Sequence, residues 1–104
     1  MQYTDVIVIG GGAAGMMAAG TASSRGKTVI LVEKNRILGK KMLITGKGRC
    51  NITNACEDVE ELIQNVTTNR SFLYSAFYGF TNYDTIGFFN LLGVETKVER
   101  GNRV

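Results

Sequence analysis

Gly10, Gly12 and Gly15 fall in the spacing G-x-G-x-x-G, and a carboxylate, Glu33, follows eighteen residues after the last of them. That pattern is built to hold a dinucleotide. The first glycine permits a tight turn, the second lets backbone approach a pyrophosphate without a Cβ in the way, and the third lets a helix pack close to a strand. Ala13 and Ala14 then contribute N–H groups to the first helical turn, where the helix dipole favours an anion. A carboxylate at position 33 accepts hydrogen bonds from ribose hydroxyls and repels a 2′-phosphate, which suits FAD or NAD rather than NADP.

Other chemistries are excluded by residue type. The chain has no His, so Ser-His-Asp and Cys-His nucleophile systems and His-ligated metal sites are all absent. No metal is expected, because the acidic run Glu57, Asp58, Glu60 and Glu61 is spaced as the start of a solvated helix. Cys50 and Cys56 are too few for a secreted disulfide scaffold, and their separation differs by one residue from the C-x-x-x-x-C of disulfide reductases. We therefore expect unpaired thiols and a cytoplasmic protein. Among 104 residues, 12 Lys plus Arg face 9 Asp plus Glu, and six of the bases lie in the acid-free segment 34–49, leaving the remainder at −3. Lys40, Lys41, Lys47 and Arg49 suit a cradle for phosphates. A solvated basic patch is the other reading of that segment, but no aromatic residue interleaves the cations for base stacking, and no nucleic-acid partner is expected.

The elements that must position these residues follow from periodicity. Residues 3–9 and 28–32 are β-branched runs of the kind buried on both faces of a parallel sheet, and 13–25 between them is rich in helix formers. Strand, glycine turn, helix and strand make a βαβ unit, the start of an α/β, Rossmann-like fold. The uncharged stretch 6–22 falls within this unit and, at 17 residues with five Gly, is not a membrane span. Segment 34–49 has no sustained period and is predicted to be an ordered loop with one helical turn. Segment 55–93 is predicted to be helical, with a first helix opening at Asn54 or Cys56 and running to Val66, then helices over 69–80 and 83–92 stopped by Gly93. Their aromatics, Phe72, Tyr74, Phe77, Tyr78, Phe80, Phe88 and Phe89, are expected in a core. Segment 94–104 alternates Val94, Thr96 and Val98 with charges before a Gly-Asn turn, the start of a β-hairpin.

Between FAD and NAD the fingerprint is neutral. The segment Gly39-Lys40-Lys41-Met42-Leu43-Ile44-Thr45-Gly46-Lys47-Gly48-Arg49-Cys50-Asn51-Ile52-Thr53-Asn54 carries the pattern G-K-K-x-L-x-[ST]-G-x-G-R-C-N-x-T-N, and Asp5 precedes the three glycines as D-x-x-x-x-G-G-G-x-x-G. Over residues 5–54 the chain resembles the BaiN/YhiN-like NAD(P)/FAD-dependent oxidoreductases, flavoproteins with two dinucleotide-binding domains. The resemblance implies noncovalent FAD, with its pyrophosphate at Gly10, Gly12 and Gly15 and its ribose at Glu33. It implies Lys34 and Lys41 beside the adenine and phosphates, and Gly46, Arg49, Cys50 and Asn51 toward the ribityl chain and isoalloxazine. It further implies an enzyme reduced by NAD(P)H that passes hydride to a small organic acceptor or oxygen. Residues 1–104 are then the amino-terminal part of an FAD-binding domain, ending before the rest of the sheet and the substrate domain, and inactive alone. The rival is a noncatalytic nucleotide-binding module, a sensor of NAD or an adenine nucleotide or a component of an RNA-modifying assembly. No catalytic acid or base is assigned.

Overall fold

A computed structural model describes all 104 residues. The chain divides into two compact units, Met1–Cys50 and Asn51–Val104.

In the first unit β1 (Val6–Ile9) leads through the glycine turn into α1 (Ala13–Ser24) and on to β2 (Val29–Val32). The strands pair in parallel, with Val6 opposite Val29 and Ile9 opposite Val32. The ladder begins at Val6 rather than Tyr3 because Thr4 and Asp5 are engaged otherwise. The Asp5 carboxylate accepts from the Thr28 amide at 2.8 Å and the Thr28 hydroxyl at 3.0 Å, and the Thr4 hydroxyl donates to the Thr28 carbonyl. Those two bonds hold the Asp5 carboxyl below its ordinary range. Val8 faces α1, while Ile7 and Ile9 stand on the open side of the sheet, Ile9 87% exposed. The expected burial of both faces is thus corrected to one, since helical cover lies on a single side of this two-stranded sheet. Beyond β2, the predicted loop contains two short elements, α2 (Lys40–Ile44) and a 3₁₀ turn at Thr45–Gly48.

The second unit holds α3 (Val59–Gln64), α4 (Arg70–Gly79) and α5 (Asn82–Leu91). The first of these opens later than expected. The Asn54 side chain accepts from the Cys56 amide in a local turn, and Asp58 is the residue that caps α3, accepting from the amides of Glu60 and Glu61. Thr81 and Asp84 form a reciprocal capping box at α5. Glu60 ties α3 to α4 by accepting from the hydroxyls of Tyr74 and Tyr78, whose rings stack. Ile63 is fully buried, but the aromatic core is smaller than expected: Phe72 is 83% exposed and Tyr78 and Phe80 are also exposed. Three short helices bury too little surface to enclose so many rings. The chain reverses at a 3₁₀ turn, Arg100–Asn102, with Glu99 bridged to Arg103, but 94–98 forms no strand. Arg103 pairs also with Asn54, so the returning arm finds a second partner far back in the sequence.

No helix is long and apolar enough to cross a membrane.

Candidate functional site

The glycine turn sits at the carboxyl ends of β1 and β2, where a parallel sheet offers its ligand crevice. Gly10 has φ +97°, a conformation that disfavours any side chain, and its amide bonds the Val32 carbonyl at 2.8 Å. A Cβ on Gly15 would lie 1.8 Å from the Gly10 carbonyl oxygen, so only glycine lets α1 lie this close to the strand. Gly12 behaves oppositely. Its φ of −79° is open to any residue and a Cβ there would meet nothing within 4 Å. What Gly12 keeps clear is open space in front of α1. No side chain caps α1 at Gly12 and no acid lies in its first turn, so the start of the helix at Ala13 and Ala14 presents bare backbone N–H groups.

Gly11 is the residue that the fingerprint spacing leaves unspecified, yet it organises the site. Its amide donates to Glu33 Oε2 at 2.7 Å and its carbonyl accepts from the Gly39 amide at 2.7 Å. A Cβ here would come 2.5 Å from Leu38 Cδ2 and 3.2 Å from Glu33 Oε2. The only signal in the sequence was a third glycine where two would satisfy the pattern. Glu33 also accepts from the Asn35 amide at 2.8 Å and the Asn35 side chain at 2.9 Å. The Asn35 amide, followed by that of Gly11, holds the Glu33 carboxyl below its ordinary range and keeps it ionised. Its oxygens retain capacity to accept ribose hydroxyls while rejecting a further anion.

Gly39, buried and at φ +64°, leads from this turn into an apolar cleft of about 310 Å³. Met16 of α1 and Leu38, Met42, Leu43, Gly48 and Cys50 line it with Gly39. The chain after α2 is tightly coiled, with Gly46, Lys47, Gly48 and Cys50 all at positive φ. Lys47 and Cys50 are not glycines, and such backbone costs about 1–2 kcal/mol per residue, the kind of local strain that gathers where a ligand is held. Both cysteines are free thiols.

Of the residues singled out by sequence, Gly10, Gly12, Ala13, Ala14, Gly15 and Glu33 converge around one turn. Cys50 lines the adjoining cleft and Gly46 belongs to the coiled segment behind it. Lys34, Lys41 and Arg49 are exposed around the same unit, whereas Asn51 belongs to the second. The residues present fit a dinucleotide: a clear space at Gly12, an uncapped helix start, an ionised acceptor and an apolar cleft. Sequence reasoning did not single out Gly11, Met16, Leu38, Gly39 or Met42 for the site.

Comparison with known proteins identifies the family. The chain is 36% identical over 94 residues to a ribosomal RNA dihydrouridine synthase of Escherichia coli (strain K12), covering 90% of this chain and 23% of that protein. It is 35% identical over 85 residues to the corresponding Haemophilus influenzae enzyme, covering 82% of this chain and 20% of that protein. To the 3-dehydro-bile acid delta(4,6)-reductase of Clostridium scindens it is 39% identical over 103 residues, or 90% of this chain and 23% of that one. The chain thus spans about a quarter or less of the length of these relatives. A family profile described as HI0933-like protein Rossmann domain matches residues 4–104, and the chain belongs to that family.

Proposed function

We propose that these residues are the FAD-binding portion of a flavin-dependent oxidoreductase, reduced by NAD(P)H and passing hydride to a small organic acceptor or oxygen. The observation that supports this is the bare start of α1 beside an ionised Glu33 and an apolar cleft. The glycine turn would hold the pyrophosphate, Glu33 the adenosine ribose, and Lys34 and Lys41 the neighbouring charge, with Gly46, Arg49, Cys50 and Asn51 toward the ring system. When bound, the flavin supplies the two-electron redox chemistry. The chain's own part is to bind, orient and exclude a second anion at the ribose. With two free thiols, a reducing cytoplasm suits the protein.

For the acceptor we propose a carbon–carbon double bond conjugated to a carbonyl, the feature that uridine and a 3-dehydro-delta(4,6) bile acid have in common. A second reading takes the acceptor to be a uridine in RNA, favoured by the two ribosomal RNA enzymes among the relatives and by the acid-free basic segment 34–49.

The test is the visible spectrum of the full-length protein. Flavin bands bleached by NAD(P)H are expected, and their absence, with NAD or an adenine nucleotide released on heating instead, identifies a noncatalytic nucleotide-binding module. Glu33→Ala should weaken FAD binding by about tenfold, the loss of roughly one charge-assisted hydrogen bond. Unchanged affinity places the ribose elsewhere. Reoxidation by uridine-containing RNA but not by small enones would favour the second acceptor.

A further inference from the structure

Glu33 directly follows β2, and three donors meet its carboxylate in hydrogen-bond geometry. They are not shared evenly. Oε2 accepts from the Gly11 amide at 2.7 Å. Oε1 accepts twice from one residue, from the Asn35 amide at 2.8 Å and from Asn35 Nδ2 at 2.9 Å. The Lys34 amide has the smallest influence on the carboxyl and stands outside this set.

An ionised carboxylate offers about four acceptor positions, two on each oxygen. Asn35 therefore fills Oε1. The direction of its side-chain amide is dictated by charge, since a carboxylate has no proton to give and only the nitrogen of the amide can face it. Asn35 stands two residues from Glu33, so closing this pair of bonds orders very little chain, and a ligand hydroxyl gains little by displacing them. Oε2 is kept open by the opposite device. A Cβ at position 11 would stand 3.2 Å from it, and the residue there is glycine. One acceptor position remains, on Oε2 beside the glycine turn, whereas an adenosine ribose brings two hydroxyls.

We infer that Asn35 is a specificity-determining residue: by filling Oε1 it leaves Glu33 a grip on one of the two hydroxyls of the adenosine ribose, taken at Oε2. The inference rests on the proposed FAD-binding function. All three donors are uncharged, so the same arrangement leaves the negative charge of Glu33 in place against a 2′-phosphate.

The experiment measures binding to the full-length protein freed of flavin, with FAD and its analogues lacking either the 2′- or the 3′-hydroxyl of the adenosine as probes. The wild type should bind one analogue about tenfold more weakly than FAD and the other within about twofold of it. Asn35 is exposed, so Asn35→Ala leaves the fold intact while returning an acceptor position to Oε1. In that variant both analogues should bind about tenfold more weakly than FAD. A merely structural Asn35 lowers affinity for all three probes by one factor and keeps their wild-type ratios, and that result overturns the inference. Equal losses with the two analogues in the wild type overturn this inference alone, since the ribose would still be gripped. FAD bound with neither hydroxyl mattering overturns the ribose placement at Glu33 and this inference with it. A wild type that takes up no FAD overturns the functional reading as a whole.

Discussion

The helix that follows the glycine turn and two of the three helices of the second unit start in opposite ways. In Met1–Cys50, α1 begins on a glycine with no side chain over its first turn, and the unit is knit by backbone bonds and by glycines where a Cβ would collide. In Asn51–Val104, α3 and α5 begin on Asp58 and Thr81, whose side chains occupy the first amides, while α4 begins on Asn69 without a side-chain cap; Glu60 and Tyr74 join α3 to α4, and Asn82 ties α5 to residues 54–56. A cap stabilises a helix and also fills its anion site. An uncapped start is not by itself distinctive, since α2 and α4 also lack a side-chain cap; what sets α1 apart is that its bare start lies at the carboxyl end of a parallel strand beside Glu33.

The comparison breaks most sharply at Gly15. Gly15→Ala should destabilise the first unit by about 3 kcal/mol, at the upper end of overpacking costs because the clash is with backbone, with loss of bound flavin. Thermal unfolding of the full-length protein checks it. Gly12→Ala separates binding from folding: the methyl enters open space, so stability should change by less than about 0.5 kcal/mol, while a ligand in that space should bind about tenfold more weakly. If Gly12→Ala retains full FAD affinity, the space in front of α1 is not where the phosphates lie. Thr81→Ala in the second unit should cost about 1 kcal/mol of stability and leave FAD affinity unchanged, as read by urea unfolding and flavin titration.

Titration gives the mildest contrast. In the first unit Asp5 and Glu33 are shifted below ordinary values of 3.8 and 4.5, so their contribution is complete above those values and is lost as pH falls through the lower folded ones. In the second unit Glu60 behaves in the same way, held down first by the Tyr74 hydroxyl. Tyr74 and Tyr78 are raised above 10.0, Tyr74 chiefly by its bond to Glu60 and Tyr78 by partial desolvation of its hydroxyl, followed by the charge of Glu60. Their contribution is present below 10.0 and is lost as pH rises through the folded values. Alkaline titration followed by amide hydrogen exchange should therefore loosen α3 and α4 before β1, α1 and β2. Simultaneous loosening of both units would show that the tyrosine clamp carries no such limit.

Much of the first unit is legible from residue order, because β-branched runs and three spaced glycines leave few conformations for residues 6–32. The ends are less so: Thr4 and Asp5 look like strand residues, but their side chains turn to Thr28. The cleft beyond Gly39 depends on which of Met16, Leu38, Met42 and Leu43 meet in space, and no period announces that. The second unit is legible as helices and not as packing. Spacing places Phe72 on a helix without saying that too little chain surrounds it, and it presents Asn82 as an ordinary first-turn residue although it is buried. The return expected at 94–104 reduces to one antiparallel bridge, Glu99 to Arg103, and Arg103 pairs also with Asn54, a partner no local pattern can name.

The bonding of Gly11 bears on how cofactor preference could be altered. One peptide unit ties Glu33, the acceptor we propose for the ribose, to the entrance of the apolar cleft, through Glu33 on its amide and Gly39 on its carbonyl. An exchange at Glu33 meant to admit a 2′-phosphate therefore strands the Gly11 amide as well and slackens the turn in front of α1. If the ribose lies at Glu33 and the phosphates at the glycine turn, specificity at one and grip at the other are mechanically linked. Redesign of this site should succeed only where the replacement for Glu33 also returns an acceptor to Gly11.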